Sequence, residues 1–140
     1  MTEAPARWRS PVLALVLGWV IPGAGHAYAG RWGKAILFFC LITGLLLAGF
    51  FISGGTNMLS DRLWYAAQVC AGGPAIALTP ISGYLRETRG IDWADRLHET
   101  GTLYTAIAGF LNVLVMMDAY IRLAFPHEKR GEKDGQEEPN

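Results

Sequence analysis

The chain has 140 residues, 51% of them hydrophobic and 17% charged, with 12 Lys and Arg balancing 12 Asp and Glu. That length suits a single domain. Without net charge or a basic stripe with interleaved aromatics, nothing would hold a polyanion, so nucleic-acid binding is excluded as an expectation. The two cysteines, Cys40 and Cys70, sit inside apolar runs without C-x-x-C or zinc-ligand spacing, and behave there as small hydrophobes.

The first apolar stretch, 11–21, is too short to cross a bilayer alone before Pro22-Gly23 interrupts it. Arg7 and Arg9 ahead of it and Ala27-Tyr28-Ala29 behind it mimic a cleaved secretory signal. A re-entrant hairpin is a second possibility. The preferred reading is a retained span over 11–28, kinked at Pro22, because neighbouring helices can satisfy the backbone that a proline frees. The next stretch, 35–52, reads AILFFCLITGLLLAGFFI without one charge, which fits a hydrocarbon core of roughly 30 Å crossed by about 20 residues. A third span is predicted over 63–84, with Trp64, Tyr65 and Tyr84 as interfacial anchors and Gln68 as its strongly polar side chain. The fourth covers 103–125, with Asn112, Asp118 and Arg122 as polar positions and Tyr104 and Tyr120 near its ends.

Between the third and fourth spans, 85–100 carries eight charged or titratable residues and belongs in water or among headgroups. Asp92 could cap a short interfacial helix there, with Trp93 at the membrane surface; a solvated loop is the alternative. The tail, 126–140, is charged and poor in large apolar side chains, and is expected to be disordered. Four spans would put seven Lys and Arg on the side of the termini and five on the other, which leans toward cytoplasmic termini by the positive-inside rule.

The most specific stretch is 18–34, GWVIPGAGHAYAGRWGK. Its pattern P-G-x-G-H-x-Y-x-G-R-x-x-K resembles the turn between the helices of the two-transmembrane-helix domain family, and Gly23, Gly25, His26, Tyr28 and Gly30 carry that likeness. The same family tends to place an aspartate late in its following helix. Asp118 would correspond, although an extra helix and a charged linker intervene here. The fuller layout from Val12 to Leu123, including LYTAIAGFLNVLVMMDAY, is similar to small bacterial membrane proteins grouped as domain of unknown function 6677. That resemblance implies a membrane protein and supplies no activity.

Read from physics alone, His26 bonds a turn at headgroup level, and one histidine without a second ligand at helical spacing makes no metal site. Asp118 is costly inside an apolar run, and Arg122 at i+4 offers the nearest relief. The sharper alternative is that Asp118 meets His26, or the turn at Arg31 and Lys34, and ties the first helix to the last. Small residues recur at four-residue spacing, Ala67, Ala71, Ala75 and Thr79 on the third span and Gly101, Thr105 and Gly109 on the fourth, so these two should pack closely. Asn112 is then expected to reach Gln68 or a carbonyl near Gly72-Gly73-Pro74, with Pro74 and Pro80 bending the third span.

The expectation is an all-α, polytopic membrane protein of the bacterial inner membrane, a four-helix transmembrane bundle over 1–125 with a short interfacial linker helix. It contains no recognisable catalytic motif and calls for no cofactor or metal. A structural or interaction subunit is the first functional reading, surrounded by lipid and partnered by its own kind or by another membrane protein. A small transporter or channel subunit acting as an oligomer is the alternative. The polar residues singled out are His26, Tyr28, Gln68, Asn112, Asp118 and Arg122.

Overall fold

The computed structural model describes residues 9–58, 61–89 and 96–125. Within them the chain is all-helical, in six segments: α1 (Pro11–Val20), α2 (Ala24–Tyr28), α3 (Trp32–Ile52), α4 (Arg62–Val69), α5 (Gly73–Arg89) and α6 (Arg96–Ala124). Two of them, α3 and α6, are long and apolar enough to cross a membrane; at 21 residues, α3 is about 31 Å long.

The stretches 11–28 and 63–84, expected as single spans, are each two helices with a turn between them. Ser10 and Pro11 start α1 with a capping side chain and a residue whose missing N–H is no loss at a helix start. Pro22 then ends it, since proline cannot donate to the ladder and disfavours helical backbone at Ile21, which is extended (ψ 114°). Gly23 turns the chain with φ +83°. The chain then folds back. Gly25 packs against the Ala14 carbonyl and beside Gly18, and the Arg9 guanidinium lies over the Tyr28 ring at 5.9 Å. The beginning of α1 and the end of α2 therefore stand at one level, as the two arms of a hairpin.

A second hairpin forms from α4 and α5. Its turn is at Cys70–Gly72, where Gly72 has φ +80°, upstream of the two prolines expected to bend this stretch. Pro74 falls in the first turn of α5, where no intrahelical donor is required, and Pro80 lies inside a helix that continues to Arg89. Both arms return to the loop 53–58: Gln68 of α4 donates to the Asn57 carbonyl, while Ser82 and Arg86 of α5 bond the Met58 backbone. Since α4 starts only a few residues after Met58, α4 runs away from this loop and α5 comes back to it.

The long helix α6 packs against α1, α2, α3 and α4. It crosses α3 at Gly49 and Gly101, where each glycine faces the other's carbonyl, and it meets α4 at Gly109, where a side chain would collide with the Ala67 carbonyl. Contact between the third and fourth predicted segments therefore exists through α4, at the small-residue positions Ala67 and Gly109. The core is Ile42, Leu46 and Phe50 of α3 against Met58, Ala71, Ala75, Ala108 and Val115.

The two hairpins approach from opposite ends of the α3–α6 pair and meet tip to tip. Gly72 presses on the Trp19 carbonyl and Gly73 on the Val20 carbonyl. In the charged stretch 85–100, α5 reaches Arg89 and α6 starts at Arg96, so its two ends are helical. His98, expected in water or headgroups, is instead buried against Thr56, with Nδ1 3.2 Å from the hydroxyl. The capped helix suggested at Asp92 and Trp93, and the tail 126–140, lie outside the described residues.

Candidate functional site

Polar side chains line α6 at three depths. At the end where the first hairpin enters, His26 Nε2 lies 3.0 Å from Asp118 Oδ2, and the Arg122 Nε donates to the same oxygen at 2.6 Å. An ionised carboxylate only accepts, which assigns the Nε2 proton to His26. His26 has no exposed surface, its ring meets Phe38 of α3 edge-on at 5.0 Å, and its Nδ1 is buried without a hydrogen-bond partner. The Asp118 side chain is 42% exposed. The two readings of Asp118 thus coexist: the i+4 ion pair with Arg122 and the contact to His26 share one oxygen. Neither Arg31 nor Lys34 takes part. Tyr28, at the end of α2, contributes its ring to Arg9, and the hydrogen bonds of the pair run to Arg122 and not to Tyr28.

At the middle depth stands Asn112, completely buried, donating to the Cys70 carbonyl at 2.9 Å. Of the two expected partners it thus takes a carbonyl, two residues before Gly72. Its Nδ2 also approaches Met116 Sδ at 3.6 Å. Asn112 Oδ1 accepts nothing. Gln68 is not beside it: the Gln68 amide donates to Thr105 Oγ1 at 2.8 Å, about two helical turns away along α6.

The third depth surrounds the loop 53–58. The Thr105 hydroxyl accepts from both Gln68 and Asn57 and turns its own proton to the Thr102 or Gly101 carbonyl. Met58 is held at both backbone groups, its N–H by Ser82 Oγ at 3.1 Å and its carbonyl by Arg86 at 2.8 Å. These groups make a buried loop tolerable, because unpaired backbone inside a protein costs about as much as a lost hydrogen bond. Asn57, Ser82, Arg86 and His98 were not singled out from the sequence. The signal that could have found them is Asn57, an amide beside the glycine turn 54–55, in a segment too apolar on both sides to leave it in water.

Among the described residues no group of three His, Cys, Asp or Glu side chains is placed to hold a metal ion. The arrangement is a set of inter-element locks: His26–Asp118 ties the first hairpin to α6, Asn112–Cys70 ties the tip of the second to α6, and Gln68–Thr105–Asn57 ties its base to the loop.

No curated protein and no solved structure matches the chain. The model of the family of unknown function DUF6677 matches residues 13–131, most of the sequence, and the chain belongs to that family.

Proposed function

We propose that this is an integral membrane protein in which α3 and α6 cross the bilayer, while α1–α2 and α4–α5 enter it from opposite faces and return. One observation carries this reading: polarity is distributed inside out. Large apolar side chains such as Trp32 (67% exposed) and Phe51 (74%) face outward on every long helix, whereas His26, Asn57, Gln68 and Asn112 are completely buried and bonded to other elements. Hydrocarbon accepts the first group, and internal hydrogen bonds satisfy the second. Turns at membrane depth are tolerated where protein covers them, as each hairpin tip is covered by the other.

The hairpins also sharpen orientation. With both hairpins returning, Arg7, Arg9, Arg31, Lys34, Arg122, Lys129, Arg130 and Lys133 fall on the side of the termini, and Arg62, Arg86, Arg89 and Arg96 on the other. Eight against four is a clear excess, and it supports cytoplasmic termini. The role we assign is that of a structural or interaction subunit, with the apolar outer face available to lipid or to another membrane protein. Topology reporters fused after residue 32 and after residue 140 test the architecture. Both should report the same side, with a reporter in the 53–61 loop on the opposite side; four full spans would separate 32 from 140 and overturn it.

A second reading, a small transporter or channel subunit acting as an oligomer, is favoured by one feature. Two helices stop at the same depth inside the molecule and leave carbonyl oxygens there, an arrangement that in other broken helices coordinates ions. Its test is ion flux in proteoliposomes, lost on replacing Asn112 or Asp118.

A further inference from the structure

The corner where the first hairpin passes into α3 gathers charge of one sign. From Ala4 to Ser60 the sequence has no Asp or Glu, while Arg9, Arg31 and Lys34 fall within that stretch. The fold brings the first of these to the turn that precedes the other two. Gly30, in the left-handed region at φ +82°, turns the chain between α2 and α3, and a Cβ placed on it would lie 3.2 Å from Arg9 Nη1. Arg31 is the next residue, and Lys34 follows in the first turn of α3. The carboxyl end of α2 and the amino end of α3 both stand at this turn and offset each other, so formal charges decide its field. The acid that α6 brings to this side among the described residues is Asp118, and its oxygen is taken by Arg122 and His26. On the opposite face the arginines are interleaved with acids, Asp61, Glu87 and Glu99 among them.

Of the three cations, Arg9 is held in place. Its guanidinium lies over the Tyr28 ring at 5.9 Å and occupies space that a side chain at position 30 would crowd. Yet no side-chain hydrogen bond or ion pair among the described residues uses Arg9, Arg31 or Lys34, and all three are exposed. A positioned arginine fork without an acceptor suits an oxyanion, phosphate above all. Beside the corner the surface is apolar: Trp32 is exposed, as are Val12 and Val16 of α1 and Ile36 and Leu37 of α3. An anion with a hydrocarbon body fits both parts, and a corner of net positive charge disfavours a headgroup that carries choline. We propose that this corner binds the headgroup phosphate of an anionic phospholipid, with Arg9 as the positioned donor, Arg31 and Lys34 adding charge, and the acyl chains along the exposed faces of α1 and α3. The inference rests on the membrane reading and adds to it a lipid partner of definite charge.

The experiment follows thermal unfolding of the full chain in mild neutral detergent as short-chain phosphatidylglycerol, short-chain phosphatidylcholine or glycerol phosphate is added. Phosphatidylglycerol should raise the midpoint in a saturable way, phosphatidylcholine should not, and glycerol phosphate, which lacks the chains, should act only at far higher concentration. Arg9→Gln should raise half-saturation about fivefold, the factor one basic residue contributes at an anionic surface, while Arg89→Gln on the opposite face should leave it unchanged. Tyr28→Leu keeps every charge but releases Arg9, and should weaken binding as Arg9→Gln does, with Tyr28→Phe restoring it; a general attraction of basic residues to anionic lipid would not respond to Tyr28→Leu. Equal responses of the wild type to the two lipids would overturn the proposal, as would glycerol phosphate matching phosphatidylglycerol, or wild-type half-saturation in Arg9→Gln or Tyr28→Leu. Should Arg9→Gln fail to fold, the double variant Arg31→Gln with Lys34→Gln decides on the same scale. A lipid effect that appears only after removal of 126–140 would make the tail the occupant of this corner and overturn the proposal too. A chain that stays monodisperse without detergent would sink the membrane reading itself, whereas a detergent-dependent chain indifferent to phosphatidylglycerol would sink only this site.

Discussion

His26 Nε2 and Asp118 Oδ2 stand 3.0 Å apart across 92 positions of sequence, and this single contact fastens the returning arm of the first hairpin to the last helix. Because Arg122 holds the same oxygen, Asp118 keeps a partner when His26 is removed, and His26 does not when Asp118 is removed. A double-mutant cycle with His26→Ala and Asp118→Asn, read by unfolding in detergent, should return a coupling of about 0.5 to 3 kcal/mol. Strictly additive effects would mean the contact contributes nothing to stability.

Gly72 has no room for a side chain on two counts. Its φ of +80° costs an L-residue roughly 1–2 kcal/mol, and a Cβ would fall on the Trp19 carbonyl, which adds overpacking of about 1–3 kcal/mol. Gly72→Ala should therefore destabilise by about 2 to 5 kcal/mol. Gly44→Ala is the control, since nothing stands within 4 Å of that position, and alanine is the better helix former by about 1 kcal/mol. If the two variants unfold at the same midpoint, the tips do not meet as described.

Gly101 and Gly49 face each other's backbone where α3 and α6 cross. Gly101→Leu should push the helices apart and expose the buried hydroxyl of Thr105, four residues along, on the same side of α6. The measurable outcome is faster backbone hydrogen exchange in 49–58 together with a lower unfolding midpoint. Exchange confined to the mutated turn would contradict the close crossing.

Ser82 and Arg86 hold the Met58 backbone from the second arm of the other hairpin. Ser82→Ala leaves the Met58 N–H buried without an acceptor, at a cost of about 1–3 kcal/mol. Exchange protection at Met58 should fall while protection in α1 stays as in the wild type. Equal loss in both places would show that the two hairpins do not open separately.

How much of this was readable in the residues differs from element to element. The uninterrupted apolar helix over 35–52 was plain, because that stretch has no charge and no proline, and α3 covers it. The break at Pro22 was visible as well, since proline ends a helix for local reasons, but whether the chain continues or turns back depends on what receives it. In the second broken segment the prolines misled: they are conspicuous, yet Pro74 sits harmlessly in a first turn, while the chain reverses at Gly72. A glycine announces that a left-handed conformation is possible, and only the Trp19 carbonyl against it shows that the conformation is used.

The site divides in the same way. Asn112 and Asp118 stood out because amides and carboxylates are expensive in apolar runs, and Arg122 followed from helical spacing. Gln68 and Asn112 were expected within reach of each other; instead they bond different partners about two turns apart, since the reversal at 70–72 sets the depth of each. Asn57, Ser82, Arg86 and His98 look like ordinary loop, helix-surface and linker residues until the fold buries their contacts.

By itself the sequence determined the helical class, the strongly apolar segments and the places where helices must stop, because hydropathy, proline and glycine act within a few residues. Tertiary structure alone decided that two of those segments are hairpins, that their tips meet, and that His26 faces Asp118. Those are relations between elements far apart in the chain, and they depend on which backbones can approach closely enough for glycine to fit against a carbonyl.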